Sequence, residues 1–91
     1  MHKIIVADDN HLTIQALKVT VPWEEWGFQL VGCAENGVDA LRQIFLYHPD
    51  IAILDINMPG MTGLEVAKQL LEKKENIIFI FLTAYDEFSY A

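Results

Sequence analysis

Three aspartates are the residues most able to do chemistry. Asp8 and Asp9 close one short apolar run, residues 3–7, and Asp55 closes another, residues 51–54. If both runs are parallel strands of an open α/β sheet, ligands gather beyond their carboxyl ends, where the strand order reverses. In a sheet of order 2-1-3-4, strands one and three are neighbours and the three carboxylates share one crevice. Like charges a few Å apart raise one another's pKa, so the cluster calls for a counter-ion. Mg²⁺ suits it, because it takes oxygen ligands, uses one or two carboxylates and keeps waters elsewhere. Those remaining positions can accept phosphoryl oxygens.

Two further segments belong beside the acids. Thr83 follows Leu82 at the end of a fourth apolar run, which puts a hydroxyl next to Asp55, within reach of a phosphoryl oxygen. Met58-Pro59-Gly60-Met61-Thr62-Gly63 reads as a loop bending around the site. Pro59 lacks an N–H, and Gly60 and Gly63 are free of side-chain limits.

Positioning these groups requires four buried strands, at 3–7, 29–33, 51–54 and 77–82, rich in Ile, Val and Phe with little alternation. Such runs suit strands covered on both faces. Helical spacing fills the intervals: Ile14, Leu17 and Val21; then Val38, Leu41, Ile44, Phe45 and His48; then Leu64, Ala67, Leu70 and Leu71. Lys68, Glu72 and Lys73 are left to face water. Asn36-Gly37 and Pro49-Asp50 punctuate the second helix. The alternation predicts a right-handed α/β fold, which is a flavodoxin-like doubly wound parallel sheet if its strand order is 2-1-3-4. Thr83 to Asp86 read as a turn and Glu87 to Ala91 as the start of a fourth helix, so one domain, 1–91, is expected to be cut early in that helix.

Bulk properties narrow the function. The 91 residues make one small domain, and 53% hydrophobic residues give it a core. A net charge of −7, from 13 acidic and 6 basic residues, argues against direct nucleic-acid contact. No segment approaches the roughly 18 to 20 apolar residues of a membrane span. The N-terminus is too short and too acidic for a signal peptide. Cys33, the single cysteine, excludes an internal disulfide and fits a reducing, cytoplasmic compartment. It reads as a small buried hydrophobe. His2, His11 and His48 lack metal-site spacing, although His11 falls at the crevice rim. Trp23 and Trp26 are expected to close a hydrophobic corner beneath strand two.

Asp8-Asp9, Ile53-Leu54-Asp55-Ile56-Asn57-Met58-Pro59-Gly60-Met61-Thr62-Gly63 and Leu82-Thr83-Ala84, in order and each at a strand end, resemble the receiver domains of bacterial two-component response regulators. The resemblance runs over essentially the whole chain. It implies that Asp55 is phosphorylated by a sensor histidine kinase. It further implies Mg²⁺ ligation by Asp9, Asp55 and the Asn57 carbonyl, with Asp8 acting through water, and Thr83 as the switch hydroxyl. Such a domain is a phosphoacceptor rather than an enzyme. Pro22-Trp23-Glu24-Glu25-Trp26-Gly27 and Tyr85 to Ala91 look like regulators with an AraC-type DNA-binding output domain, which would regulate transcription. Family members continue into a fifth strand, bearing a lysine, and a fifth helix. With neither here, strand four becomes an apolar edge, and a homodimer through that strand or by swapped elements is expected.

Other readings stand beside these. Asp8-Asp9 could cap a helix. Thr83 could be a β-former capping the next helix, and Tyr85 either a surface aromatic or a gate at the site. An aspartate-nucleophile phosphatase also uses a strand-end Asp with Mg²⁺, but its second acid would fall at Asn57. A flavin or nucleotide domain would need glycine in the first turn, which here is Asp-Asp-Asn-His. An interaction module that merely kept the fold would not need the acids.

Overall fold

The protein is described by a computed structural model covering residues 1–82. Its elements alternate: β1 (His2–Ala7), α1 (His11–Thr20), β2 (Phe28–Ala34), α2 (Gly37–Tyr47), β3 (Ile51–Asp55), α3 (Gly63–Glu72) and β4 (Ile78–Leu82). The four strands form one parallel sheet of order β2-β1-β3-β4, as expected. Strand limits differ from the apolar runs by a residue or so: Ile77 lies outside β4, and Asp55 is the last residue of β3. Thr83, Tyr85 and the expected fourth helix lie outside the described residues.

Apolar side chains alternate between the two faces of the sheet, as the pleat requires. Ile5, Ala7, Ala52 and Leu54 join Ala40 and Ile44 of α2 and Val66 and Leu70 of α3 in the main core. Ile14 of α1 is also buried. Removing a core side chain such as Leu70 costs about 2–5 kcal/mol in comparable sites.

Helix faces depart from the expected stripes in informative ways. In α3 the buried stripe is Gly63, Val66, Ala67 and Leu70, while Leu64 and Leu71 are exposed. The stripe follows i, i+3, i+4, i+7, and Leu64 and Leu71 lie on the solvent side of it. Val38 is likewise exposed on α2. His48 leaves the helix as its C-cap, in the left-handed region at φ 49°. Trp23 is half-buried, its indole Nε1 donating to the Leu17 carbonyl at 3.1 Å, but Trp26 is exposed, so only Trp23 closes the corner. Cys33 is partly rather than fully buried, and that burial raises its thiol pKa, offset in part by Lys18. Lys68, Glu72 and Lys73 are exposed as expected, Lys73 with its ammonium 5.9 Å from the Phe45 ring centre. Ile78, Ile80 and Phe81 of β4 are exposed.

Candidate metal centre

Strand register brings the acids together. Ala7 of β1 pairs with Leu54 of β3, so Asp8 and Asp55 leave neighbouring strands at the same level. β1 crosses over through α1 to one side and β3 through α3 to the other, and the crevice between them is the reversal point of the sheet. One carboxylate oxygen from each of Asp8, Asp9 and Asp55 lies within 4.8 Å of the others.

The three acids sit in different surroundings. Asp8 is buried, and its Oδ1 accepts the Asn10 N–H at 2.8 Å. Asp9 is exposed at the rim. Asp55 is half-buried, with Oδ1 accepting the Asn57 N–H at 3.2 Å. Burial pushes the Asp55 carboxyl up to about 6; the Asn57 N–H pulls it down, and the charges of Asp8 and Asp9 push it up again. Among the described residues, no basic side chain is ion-paired with any of the three. A buried carboxylate beside two others, all oxygen donors and none paired, fits a hard divalent cation.

The loops around the acids are built by local capping. Asn10, not an aspartate, caps α1: its side chain accepts the Leu12 N–H at 3.0 Å. The helix-cap reading of Asp8-Asp9 is therefore displaced by the residue after them. The loop after Asp55 turns at Gly60, whose φ of 81° strains any residue with a Cβ. It ends in a capping box, Thr62 with Glu65, which starts α3. Gly63 donates its N–H to the Ile56 carbonyl at 3.0 Å, and a Cβ there would collide with the Asp55 carbonyl. Ile56 in turn donates to the Leu82 carbonyl at 3.0 Å, tying the loop to the end of β4. Asn57 is exposed at this turn, beside Asp55.

Sequence reasoning missed two residues at this end of the sheet. Glu35 follows β2, and its Oε2 meets His11 Nδ1 at 3.2 Å. Asn10 is legible in principle, since an Asn directly before a helical segment is a capping signal.

With fold and site in view, comparison with known proteins is decisive for the family. The sequence profile of the response regulator receiver domain matches residues 4–91, and the chain belongs to that family. Among its relatives, the uncharacterised transcriptional regulatory protein YesN of Bacillus subtilis is 38% identical over 91 residues, all of this chain and 25% of YesN. The receiver (REC) domain of AraT, a response regulator from Geobacillus stearothermophilus, superposes with a TM-score of 0.90 at 35% identity, over 98% of this chain and 69% of that one. A CheX–CheY–BeF3–Mg²⁺ complex from Borrelia burgdorferi superposes with a TM-score of 0.80 at 26% identity, over 91% of this chain and 62% of that chain. The chain thus spans about a quarter of the length of YesN. No helix among the described residues is long and apolar enough to cross a membrane.

Proposed function

We propose that this domain accepts a phosphoryl group on Asp55 from the phosphohistidine of a sensor kinase. The observation that carries the reading is the convergence of Asp8, Asp9 and Asp55 within 4.8 Å at the ends of β1 and β3. In the transfer, an Asp55 carboxylate oxygen forms the new P–O bond as the P–N bond of phosphohistidine breaks, and the imidazole leaves to take up a proton. Asp55 must be ionised to attack, so the neighbours that raise its pKa also oppose the reaction until they are neutralised.

Asp9, Asp55 and the main-chain carbonyl of Asn57 would hold Mg²⁺, with Asp8 acting through a water. Once bound, the ion supplies charge neutralisation at the transferring phosphoryl oxygens. The BeF3–Mg²⁺ complex of the CheY relative supports this, since a beryllium fluoride mimics a phosphoryl group. Thr83 would then act as the switch hydroxyl, moving the segment that follows it. With Asn57 where a phosphatase would carry its second acid, the domain is a phosphoacceptor without turnover on other substrates.

The partners follow from the same reading. The kinase is the phosphodonor, and transcription is regulated through a DNA-binding output domain, in line with the regulator relatives. Residues 1–91 belong to the receiver, which acts in the cytoplasm without nucleic-acid contact of its own. Self-association through β4, whose Ile78, Ile80 and Phe81 are exposed, belongs to the same proposal. Sedimentation at micromolar concentration checks this, and a stable monomer counts against it. Mg²⁺ titration followed by NMR tests the metal reading: binding should be lost in Asp9→Ala, and an unchanged titration in that variant would refute it.

A further inference from the structure

Asp9 is the acid whose position the surrounding backbone leaves least determined. Asp8 and Asp55 each accept a backbone N–H, from Asn10 and Asn57. Asp9 is exposed, and among the described residues no backbone N–H is bound to its carboxylate. Its carboxylate meets that of Asp55, and apart from that contact its placement depends on the path of the short segment from Asp8 to His11, between β1 and α1.

That segment is held at its two ends by two consecutive residues, Ala34 at the end of β2 and Glu35 just after it. At one end the Asp8 N–H donates to the Ala34 carbonyl at 3.0 Å, one step beyond the last β1–β2 pair, Ala7 with Ala34. At the other, His11 Nδ1 lies 3.2 Å from Glu35 Oε2. A carboxylate only accepts, so His11 donates through Nδ1. Glu35 is itself set between the end of β2 and Asn36, the N-cap of α2, whose Oδ1 accepts the Asp39 N–H at 2.7 Å. The support is thus two rigid elements.

We propose that the His11–Glu35 hydrogen bond is a clasp that positions Asp9 for metal binding, with Ala34–Glu35 as its anchor. The inference rests on the Mg²⁺ reading above, and concerns two residues outside the ligand set. Both side chains are more than half exposed, at 62% and 54%, so water competes and the effect is modest. A clasp of this kind changes metal affinity by a few-fold and leaves global stability nearly unchanged.

The test separates the hydrogen bond from the charge. Glu35→Ala and Glu35→Gln remove the same negative charge, but only Gln keeps an acceptor for His11. Mg²⁺ affinity, read from backbone amide NMR shifts at neutral pH, should fall about two- to fivefold in Glu35→Ala and in His11→Ala. Glu35→Gln should stay near the parent value, the His11→Ala/Glu35→Ala double variant should lose no more than either single one, and Tm should hold in all. In the metal-free protein, the Asp9 and Asn10 amides should shift in Glu35→Ala and not in Glu35→Gln. Equal weakening by Ala and Gln would make the effect one of charge and overturn the clasp, as would additive losses or unmoved Asp9 and Asn10 amides. Absence of Mg²⁺ binding in the parent chain would instead defeat the metal reading, with the metal-free amide shifts still deciding the clasp.

Discussion

Gly63 sits so close to Asp55 that any Cβ added to it would strike the Asp55 main-chain carbonyl. The first residue of α3 and the last residue of β3 are thus in backbone contact, and the Gly63 N–H bond to Ile56 keeps them there. The obstacle is backbone and cannot rotate away. Gly63→Ala is therefore expected to lower stability by about 1–3 kcal/mol, the range of overpacked sites. For a domain of this size that is a fall of about 4 to 8 °C in Tm per kcal/mol. Calorimetry checks the loss. The Asp55 amide NMR shift should move in the same variant, while an unaltered Tm would show that the contact is loose.

The acid cluster should make the metal-free protein sensitive to pH. Asp55, raised to about 6 mainly by burial, ionises less readily folded than unfolded. Its contribution is therefore a destabilisation, absent below about pH 4, growing between about pH 4 and 6 and full above that. Asp55→Asn removes it. The variant should be more stable than the parent at pH 7, by about 1 kcal/mol once solvent screening of a half-buried group is allowed for. The gain should vanish near pH 4. Urea unfolding in a chelator at both values checks this, and a gain equal at the two pH values would contradict it.

Asn10 and Asp9 adjoin in sequence and should respond oppositely to truncation. Asn10→Ala removes the α1 cap and should cost about 1 kcal/mol. Asp9→Ala removes a charge that helps push Asp55 up, so metal-free stability should hold or rise. Thermal melts of the pair decide it, and a destabilised Asp9→Ala would return the acids to a capping role.

The parts of this fold legible in the sequence were those with one dominant physical cause. Unbroken Ile, Val and Phe runs at 3–7, 29–33, 51–54 and 77–82 mark β1 to β4, and Asp8, Asp9 and Asp55 with them. β4, however, with Ile78, Ile80 and Phe81 exposed, is not covered on both faces as its run suggested. Helix faces were harder. Leu64 and Leu71 on α3, and Val38 on α2, are apolar yet exposed. Gly63 and Val66 are buried beside the expected Ala67 and Leu70, Gly63 because its backbone lies against Asp55. His48 looked like a stripe residue because it falls four past Ile44 and three past Phe45, but it is the left-handed cap. The His11–Glu35 link spans 24 positions and joins two exposed polar residues, so no periodicity announces it.

The central claim is that Asp55 is the phosphoacceptor and that metal is required for transfer. Intact-mass spectrometry after incubation with a small phosphodonor such as acetyl phosphate tests it directly, with peptide mapping, with and without Mg²⁺. The expected result is one base- and hydroxylamine-labile phosphoryl adduct on Asp55, formed only with Mg²⁺ and missing in Asp55→Asn. An adduct that persists in Asp55→Asn, maps to His11, or forms equally well in chelator would contradict it.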